Sequence, residues 1–201
     1  MKNKISIGTV FSEGIANGLK NFPSLLGAVI LWLLTILIPY INVGTTIAIS
    51  TIPLMLSKGE VINPLFIFNK RYHRYMGEYF LTNGLRFTVI LMLMPTFIFT
   101  IPAIVIGMAW SMATLLVLDK GLNATEALRV SNKITYGNKW TIFLIYFLLV
   151  VGAFILGGIL SLIPFIGTPL AICVFIAFMP VVLACEGVIY GMLSKDVEAL
   201  H

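Results

Sequence analysis

Three long apolar runs dominate this sequence. Residues 22–57, 87–118 and 140–185 contain no Asp, Glu, Lys, Arg or His. A helix needs about 20 apolar residues to cross a hydrocarbon core of about 30 Å, so each run is long enough for two crossings. Composition agrees, because 59% of the residues are hydrophobic and only 10% are charged, whereas soluble domains are roughly a quarter charged. The sequence predicts an all-α integral membrane protein of about six transmembrane helices, forming a single membrane domain over residues 1–201.

An Ile-Pro pair lies near the middle of each run. Pro39, Pro102 and Pro164 each follow an isoleucine, and a glycine comes a few residues later. Proline cannot donate a helical hydrogen bond and disfavours helix in the residue before it, so helices tend to end at such positions. We expect these three prolines to mark the turns of three helical hairpins.

A segment with charges on one helical face precedes each hairpin. Apolar side chains recur on the other face, which is typical of helices that lie in the membrane interface. The apolar faces are Phe11, Ile15, Leu19 and Phe22 in the first segment, Leu65, Phe68, Tyr72 and Met76 in the second, and Ala127, Leu128, Ser131, Ile134 and Thr135 in the third. We therefore expect an amphipathic interfacial helix before each hairpin.

The same order of elements recurs three times along the chain. The candidate repeats cover residues 9–57, 64–118 and 124–193, and each contains a surface helix, a span, an Ile-Pro turn and a returning span. The competing interpretation is that Ile-Pro pairs arose by chance in an apolar chain with nine prolines. Ile52 and Pro53 form such a pair outside the scheme.

Charge is confined to one side of this arrangement. All 13 Lys and Arg residues lie outside the three turns, in the amino tail, residues 58–86, residues 120–139 and the carboxyl tail. Positive charge marks the cytoplasmic side of a membrane protein. We therefore expect both termini and all three amphipathic segments to be cytoplasmic, with three short uncharged turns on the outer face.

A short pattern in the second half of the chain resembles a known group of proteins. Asp119 and Gly121 precede a Glu-Ala-Leu sequence at Glu126, Ser131 follows, and a Gly-x-x-Trp sequence ends at Trp140. This pattern resembles bacterial multi-span membrane proteins of the YciC type and the membrane domain found beside glycerophosphodiesterases. The resemblance covers a small part of the chain. It implies an all-helical protein of the bacterial cytoplasmic (inner) membrane, and it implies no catalytic residues.

The sequence contains no recognisable catalytic, cofactor or metal site. The two histidines are His73 and His201, and the two cysteines, Cys173 and Cys185, lie about 18 Å apart along one helix. Metal-ligand spacings, glycine-rich phosphate loops and Gly-x-Ser-x-Gly sequences are absent from the sequence. We therefore expect no enzyme, no cofactor and no metal. The net charge of +5 follows from the membrane topology, so nucleic acid is not an expected partner.

The densest positive charge is the candidate lipid-headgroup patch Lys70, Arg71, His73 and Arg74. Cations near a membrane surface are attracted to anionic headgroups, each by about 1 kcal/mol. One interpretation is therefore a non-specific anchor of the positive-inside kind. The sharper interpretation is a specific site for a lipid headgroup or for a protein.

Arg86 and Glu186 are the charges that lie deepest in the predicted spans. If the third span starts near Gly77 and the sixth ends near Leu193, they lie about 13 Å and 10 Å from the cytoplasmic ends. A lone charge at the centre of a span costs at least ~2.5 kcal/mol, so opposite charges at matching depth are expected to face inward and pair. The alternative is that each side chain reaches the cytoplasmic interface separately.

These features favour a non-enzymatic integral membrane protein whose cytoplasmic surface helices associate with membrane lipids or with a protein partner. The rival is a small transporter or channel with Arg86 and Glu186 at its polar centre, and a third candidate is a lipid-active enzyme. Small residues in the fifth span, including Gly157 and Gly158, favour close helix packing over a water-filled path. No sequence pattern specifies an oligomeric state.

Overall fold

The computed structural model describes residues 4–95 and 97–198 of the chain. Over those residues every regular element is a helix, which confirms the predicted all-α class. The α-helices are α1 Ile7–Lys20, α2 Phe22–Thr35, α3 Pro39–Ile49, α4 Ile52–Ser57, α5 Met76–Leu93, α6 Thr100–Ala109, α7 Ala113–Lys120, α8 Ala124–Ile134, α9 Lys139–Ser161 and α10 Gly167–Glu198. Short 3₁₀ helices occupy Pro64–Phe68, Lys70–Tyr75 and Phe97–Phe99.

Several of these helices are long and apolar enough to cross a membrane, as the sequence predicted. Four such stretches lie in the described residues, namely Pro39–Ser57, Thr100–Lys120, Lys139–Ser161 and Gly167–Val197. A fifth is available if α1 and α2, which meet at an angle of 77°, act as one broken span. The sequence predicted about six. The difference arises because α2 has only 14 residues, about 21 Å of helix, and because α5 carries Glu78 and Arg86.

The three turn prolines lie at or beside helix boundaries. Pro39 is the first residue of α3, and Pro102 lies in the first turn of α6. Pro164 lies in the loop between α9 and α10, beside Phe165, which has a positive φ of 65°. Proline at these positions is compatible with helix initiation, because the first turn of a helix does not need its N–H.

Helix α8 packs inside the protein through the face that the sequence identified. Ser131 and Thr135 fill the break between α6 and α7. The Ser131 hydroxyl accepts a hydrogen bond from Met112 N (3.2 Å) and donates to Ala109 O (2.7 Å), and Thr135 Oγ1 donates to the same carbonyl (3.2 Å). Backbone groups freed by a helix break are satisfied here by the neighbouring helix. The apolar face of α8 therefore contacts protein, although interfacial packing was expected.

Helix α1 contacts the rest of the protein through a face other than its predicted apolar face. Its buried face is Val10, Gly14 and Gly18, whereas Ile15 and Leu19 of the predicted apolar face are 42% and 63% exposed. A Cβ on Gly14 would lie 3.0 Å from the Cα of a residue in α10. The two glycines thus permit close approach to α10, and this contact decides which face of α1 is buried.

Candidate functional site

The predicted headgroup patch is folded into tight turns by two asparagines. Asn63 Oδ1 accepts a hydrogen bond from Leu65 N (3.0 Å), and Asn69 Oδ1 accepts one from Arg71 N (3.0 Å). Such caps favour turns over continuous α-helix. The second turn begins the 3₁₀ helix Lys70–Tyr75, called the basic segment below.

The 3₁₀ geometry sorts the side chains of the basic segment into rows, since residues three apart are aligned. Tyr72 is buried and Tyr75 is half-buried, so this row holds the segment against the core. Arg71 and Arg74 form a second, exposed row. An α-helix would have distributed the same residues differently around its axis.

Arg71 and Arg74 line a pocket of about 150 Å³ together with Lys58 and Glu60. The pocket lies between the basic segment and the end of α4, and its remaining lining residues are Thr51, Leu54, Met55, Tyr72, Tyr75 and Leu118. Three cations and one carboxylate therefore face a small cavity. This is the electrostatic environment of an anion site.

Neighbouring tyrosines orient both arginines. Arg71 Nη2 donates to the Tyr72 hydroxyl (2.8 Å) and its guanidinium lies 4.9 Å from the centre of that ring. Arg74 has the same relation to Tyr75, at 4.7 Å. The hydrogen bond to Tyr72 raises the pKa of Arg71 above its ordinary value. A guanidinium has five donors, so these contacts leave donors for an anion.

The third cation of the pocket is held by a carboxylate that joins three helices. Lys58 Nζ lies 2.6 Å from Asp119 Oδ1, and Tyr190 donates to Asp119 Oδ2 (2.7 Å). Lys120 Nζ is 3.8 Å from the same carboxylate. The ends of α4 and α7 and the second half of α10 are thereby linked. Because Asp119 balances Lys58, the positive charge of the pocket comes mainly from the two arginines.

Sequence reasoning did not assign Lys58, Glu60 or Tyr190 to a site. The sequence contains a signal for these ends, because a Lys-Gly pair lies at the end of both α4 and α7. Gly59 and Gly121 have φ values of 71° and 65°, the left-handed conformation that commonly ends a helix. These matching ends place Lys58 and Asp119 at the same level of the structure.

The other two patch residues lie outside the pocket. Lys70 is exposed. His73 points to the start of α3, where its ring stacks on Tyr40 with centroids 5.0 Å apart, and His73 Nε2 lies 3.3 Å from Tyr40 O. Gly44 makes room for this contact, because a Cβ there would overlap the imidazole. The structure therefore divides the patch between the pocket and a contact with the first residues of α3.

Arg86 and Glu186 are near each other without direct contact. Among the described residues, Arg86 and Glu186 form no ion pair with each other within 4.0 Å. Arg86 and Glu186 are still close enough to interact electrostatically. The predicted direct pair between the two side chains therefore stays a prediction.

Arg86 also lines a groove of about 490 Å³ along α5. The other lining residues are Phe80, Asn83, Gly84, Phe87 and Ile90. All of them belong to α5, so the groove is on the side of one helix. A path between repeats would be lined by several helices, and this groove therefore does not provide the polar centre of a channel.

The described residues contain no group of three His, Cys, Asp or Glu side chains arranged to hold a metal ion. Cys173 is exposed and Cys185 is buried, and both are free thiols. In comparisons with known proteins, no family model, no curated protein and no solved structure matches this chain.

Proposed function

We propose that this chain is a non-enzymatic integral protein of the bacterial inner membrane that binds anionic lipid headgroups at its cytoplasmic face. In this proposal the helices form three hairpins, and both termini and the charged segments are cytoplasmic. The observation that carries the proposal is the pocket in which Arg71 and Arg74, oriented by Tyr72 and Tyr75, face Lys58. The inner-membrane location is supported by the positive-inside distribution of charge and by the resemblance of residues 119–140 to bacterial multi-span proteins.

A phosphodiester is the anion that suits this pocket best. Arginine binds phosphate oxygens through paired N–H donors, and about 150 Å³ admits a phosphate group but not a large soluble ligand. Large apolar side chains are exposed over much of the surface, including Phe80 and Phe87 of α5. A lipid can contact both kinds of surface at once, because its headgroup is charged and its chains are apolar.

The test is the affinity of the purified protein for single lipids. Native mass spectrometry would compare phosphatidylglycerol with phosphatidylcholine on the wild type and on the double variant Arg71→Gln, Arg74→Gln. Two cations contribute about 1 kcal/mol each, so the preference for phosphatidylglycerol should fall roughly tenfold or more.

The matched control is Arg129→Gln with Lys133→Gln, which removes the same charge from the exposed face of α8. It should leave the preference within about twofold of the wild type, because these cations do not line the pocket. Equal losses in both double variants would mean that only net charge matters, and the proposed site would be wrong.

A further inference from the structure

The turn of the first hairpin is apolar and exposed. Leu37 is 89% exposed and Tyr40 is 77% exposed, with Leu34, Ile36 and Ile38 beside them. Polar groups inside the hairpin bond to each other, since Trp32 Nε1 donates to Thr46 Oγ1 (3.0 Å) and the hydroxyls of Thr35 and Thr45 are 2.7 Å apart. The tip therefore presents hydrocarbon outward, and these four polar side chains bond within the hairpin, as polar groups surrounded by lipid must do.

The basic segment lies beside this tip. His73 stacks on Tyr40, the second residue of α3, and fits against Gly44 one turn later. The basic segment has six residues, and a 3₁₀ helix rises about 2 Å per residue. The backbone of Lys70, Arg71 and Arg74 therefore lies within about 6 Å of His73 along the segment. The cations of the basic segment are thus neighbours of the apolar tip of the first hairpin.

This proximity limits how far the first turn can lie from the headgroups. Arginine and lysine are unfavourable in hydrocarbon and are retained at the interface where they can reach it. If the basic segment contacts headgroups, Leu37 lies in the leaflet below those same headgroups. The opposite headgroups would be about 30 Å away across the hydrocarbon core.

The third hairpin has different dimensions. Its first helix, α9, has 23 residues, about 35 Å, against 14 residues in α2. Its turn is also apolar, and Phe165 is 99% exposed. Helix α9 is thus long enough to carry its turn across a bilayer. Helix α2 is not, although the returning arm Pro39–Ser57 is long enough, so the two arms of the first hairpin are unequal.

We propose that the first hairpin does not cross the bilayer and acts as a wedge in the cytoplasmic leaflet, with Lys70, Arg71 and Arg74 as a collar on anionic phosphates. This inference rests on the proposed function, because it takes the basic segment to lie at the headgroups. The sequence predicted three turns on the outer face. This proposal instead places the first turn inside the cytoplasmic leaflet and at least one other turn on the outer face. The partner of this surface is an anionic lipid leaflet.

The test compares the first and third turns in the full-length chain. Leu37→Cys and Phe165→Cys would be made with Cys173→Ala and Cys185→Ala, spin-labelled and reconstituted in vesicles of phosphatidylcholine and phosphatidylglycerol. Collision with oxygen and with a water-soluble nickel complex reports the depth of each label. We expect the Leu37 label at less than about 15 Å, half the hydrocarbon core, from the cytoplasmic phosphates, and the Phe165 label at the opposite surface.

A membrane-impermeant maleimide provides the second measurement. On right-side-out vesicles it should modify Phe165→Cys and leave Leu37→Cys unmodified. Equal modification of both cysteines, or a Leu37 label at the outer headgroups, would overturn the inference.

The two proposals fail separately. If the Leu37 label lies within the cytoplasmic leaflet but the Arg71 and Arg74 variants do not change the lipid preference, the wedge stands and the headgroup site is wrong. If the Leu37 label lies at the outer surface and the Arg71 and Arg74 variants still lower the preference for phosphatidylglycerol, the headgroup site stands and the wedge is wrong.

Discussion

The two halves of α10 differ in their surroundings, and the less apolar half is the one that is buried: residues 167–179 contain no charged residue, whereas residues 181–198 contain four. In the second half, Ala184, Ile189 and Leu193 are fully buried. In the first half, Ile172 is 55% exposed, and Leu170 and Phe175 are also exposed. Pro180 lies between the halves within the helix. The second half is surrounded by protein, and the first half is available to lipid.

Small residues account for the packed half. A Cβ on Gly187 would lie 2.7 Å from Pro53 O of α4, and one on Gly191 would lie 3.3 Å from Ser57 Cβ. Gly14 and Gly18 of α1 contact the same half of α10 near Cys185. Close approach of helices needs such residues. The comparison teaches that hydropathy alone does not distinguish a surface that contacts protein from one that contacts lipid.

Replacing an isoleucine by alanine should show the largest difference in stability between the two halves of α10. Ile189→Ala leaves a cavity in the packed half and should destabilise the protein by about 3 kcal/mol. Ile172→Ala removes the same atoms from the exposed half and should cost less than about 1 kcal/mol. Thermal unfolding in detergent would measure both, and 3 kcal/mol corresponds to a Tm lower by roughly 6–12 °C for a chain of this size. Similar shifts would mean that detergent or lipid packs α10 as tightly as protein does.

An added side chain should have the next largest effect. Gly187→Leu forces atoms against the backbone of α4 and should cost about 2 kcal/mol. Gly158→Leu is the control, because a Cβ there meets nothing within 4 Å. The same unfolding assay would show a Tm lower by about 4–8 °C for the first variant and almost unchanged for the second. A tolerated Gly187→Leu would show that α4 can move away from α10.

Two serine variants, compared with each other, should give the smallest difference in stability. Ser131→Ala removes the partner of Met112 N at the break between α6 and α7 and should cost about 1–2 kcal/mol, because a buried donor is left unpaired. Ser161→Ala at the exposed end of α9 removes a hydroxyl that donates to Gly158 O (2.7 Å) and should cost a few tenths of a kcal/mol.

The readout for the serine pair is amide hydrogen exchange. Faster exchange is expected at residues 110–113 in Ser131→Ala only, since the unpaired amide lies there. An unchanged rate would mean that Met112 N finds another acceptor.

The amphipathic segments show which structural features a sequence pattern can predict. The apolar face of α8 was identified correctly, because bulky apolar residues and buried hydroxyls share that face. In α1 the contact with α10 is made by two glycines, which contribute little to a hydropathy pattern, and Ile15 and Leu19 of the predicted apolar face are exposed. The basic segment was expected to be α-helical. Asn63 and Asn69 make it 3₁₀ by capping, a local signal that helical periodicity does not include.

The candidate site was predictable only in part. Arg71 and Arg74 stand out in the sequence as the densest charge, and the structure places both at the pocket. Lys58 and Glu60 are far from them in sequence. The pairing of Lys58 with Asp119 joins residues from different helices. Such a pair depends on how the helices pack, so no local pattern contains it.

The sequence by itself determined that this protein is helical, that its apolar runs are long enough to cross a membrane, and that its charged residues are clustered in the segments outside these runs. These properties are local, because hydropathy, proline and charge act on residues that are neighbours along the chain. Only the tertiary structure decided which helix faces meet protein, which cations form the pocket, and that His73 reaches the turn at Tyr40. Those outcomes depend on shape, since glycines that admit a neighbouring backbone set distances that hydropathy does not encode.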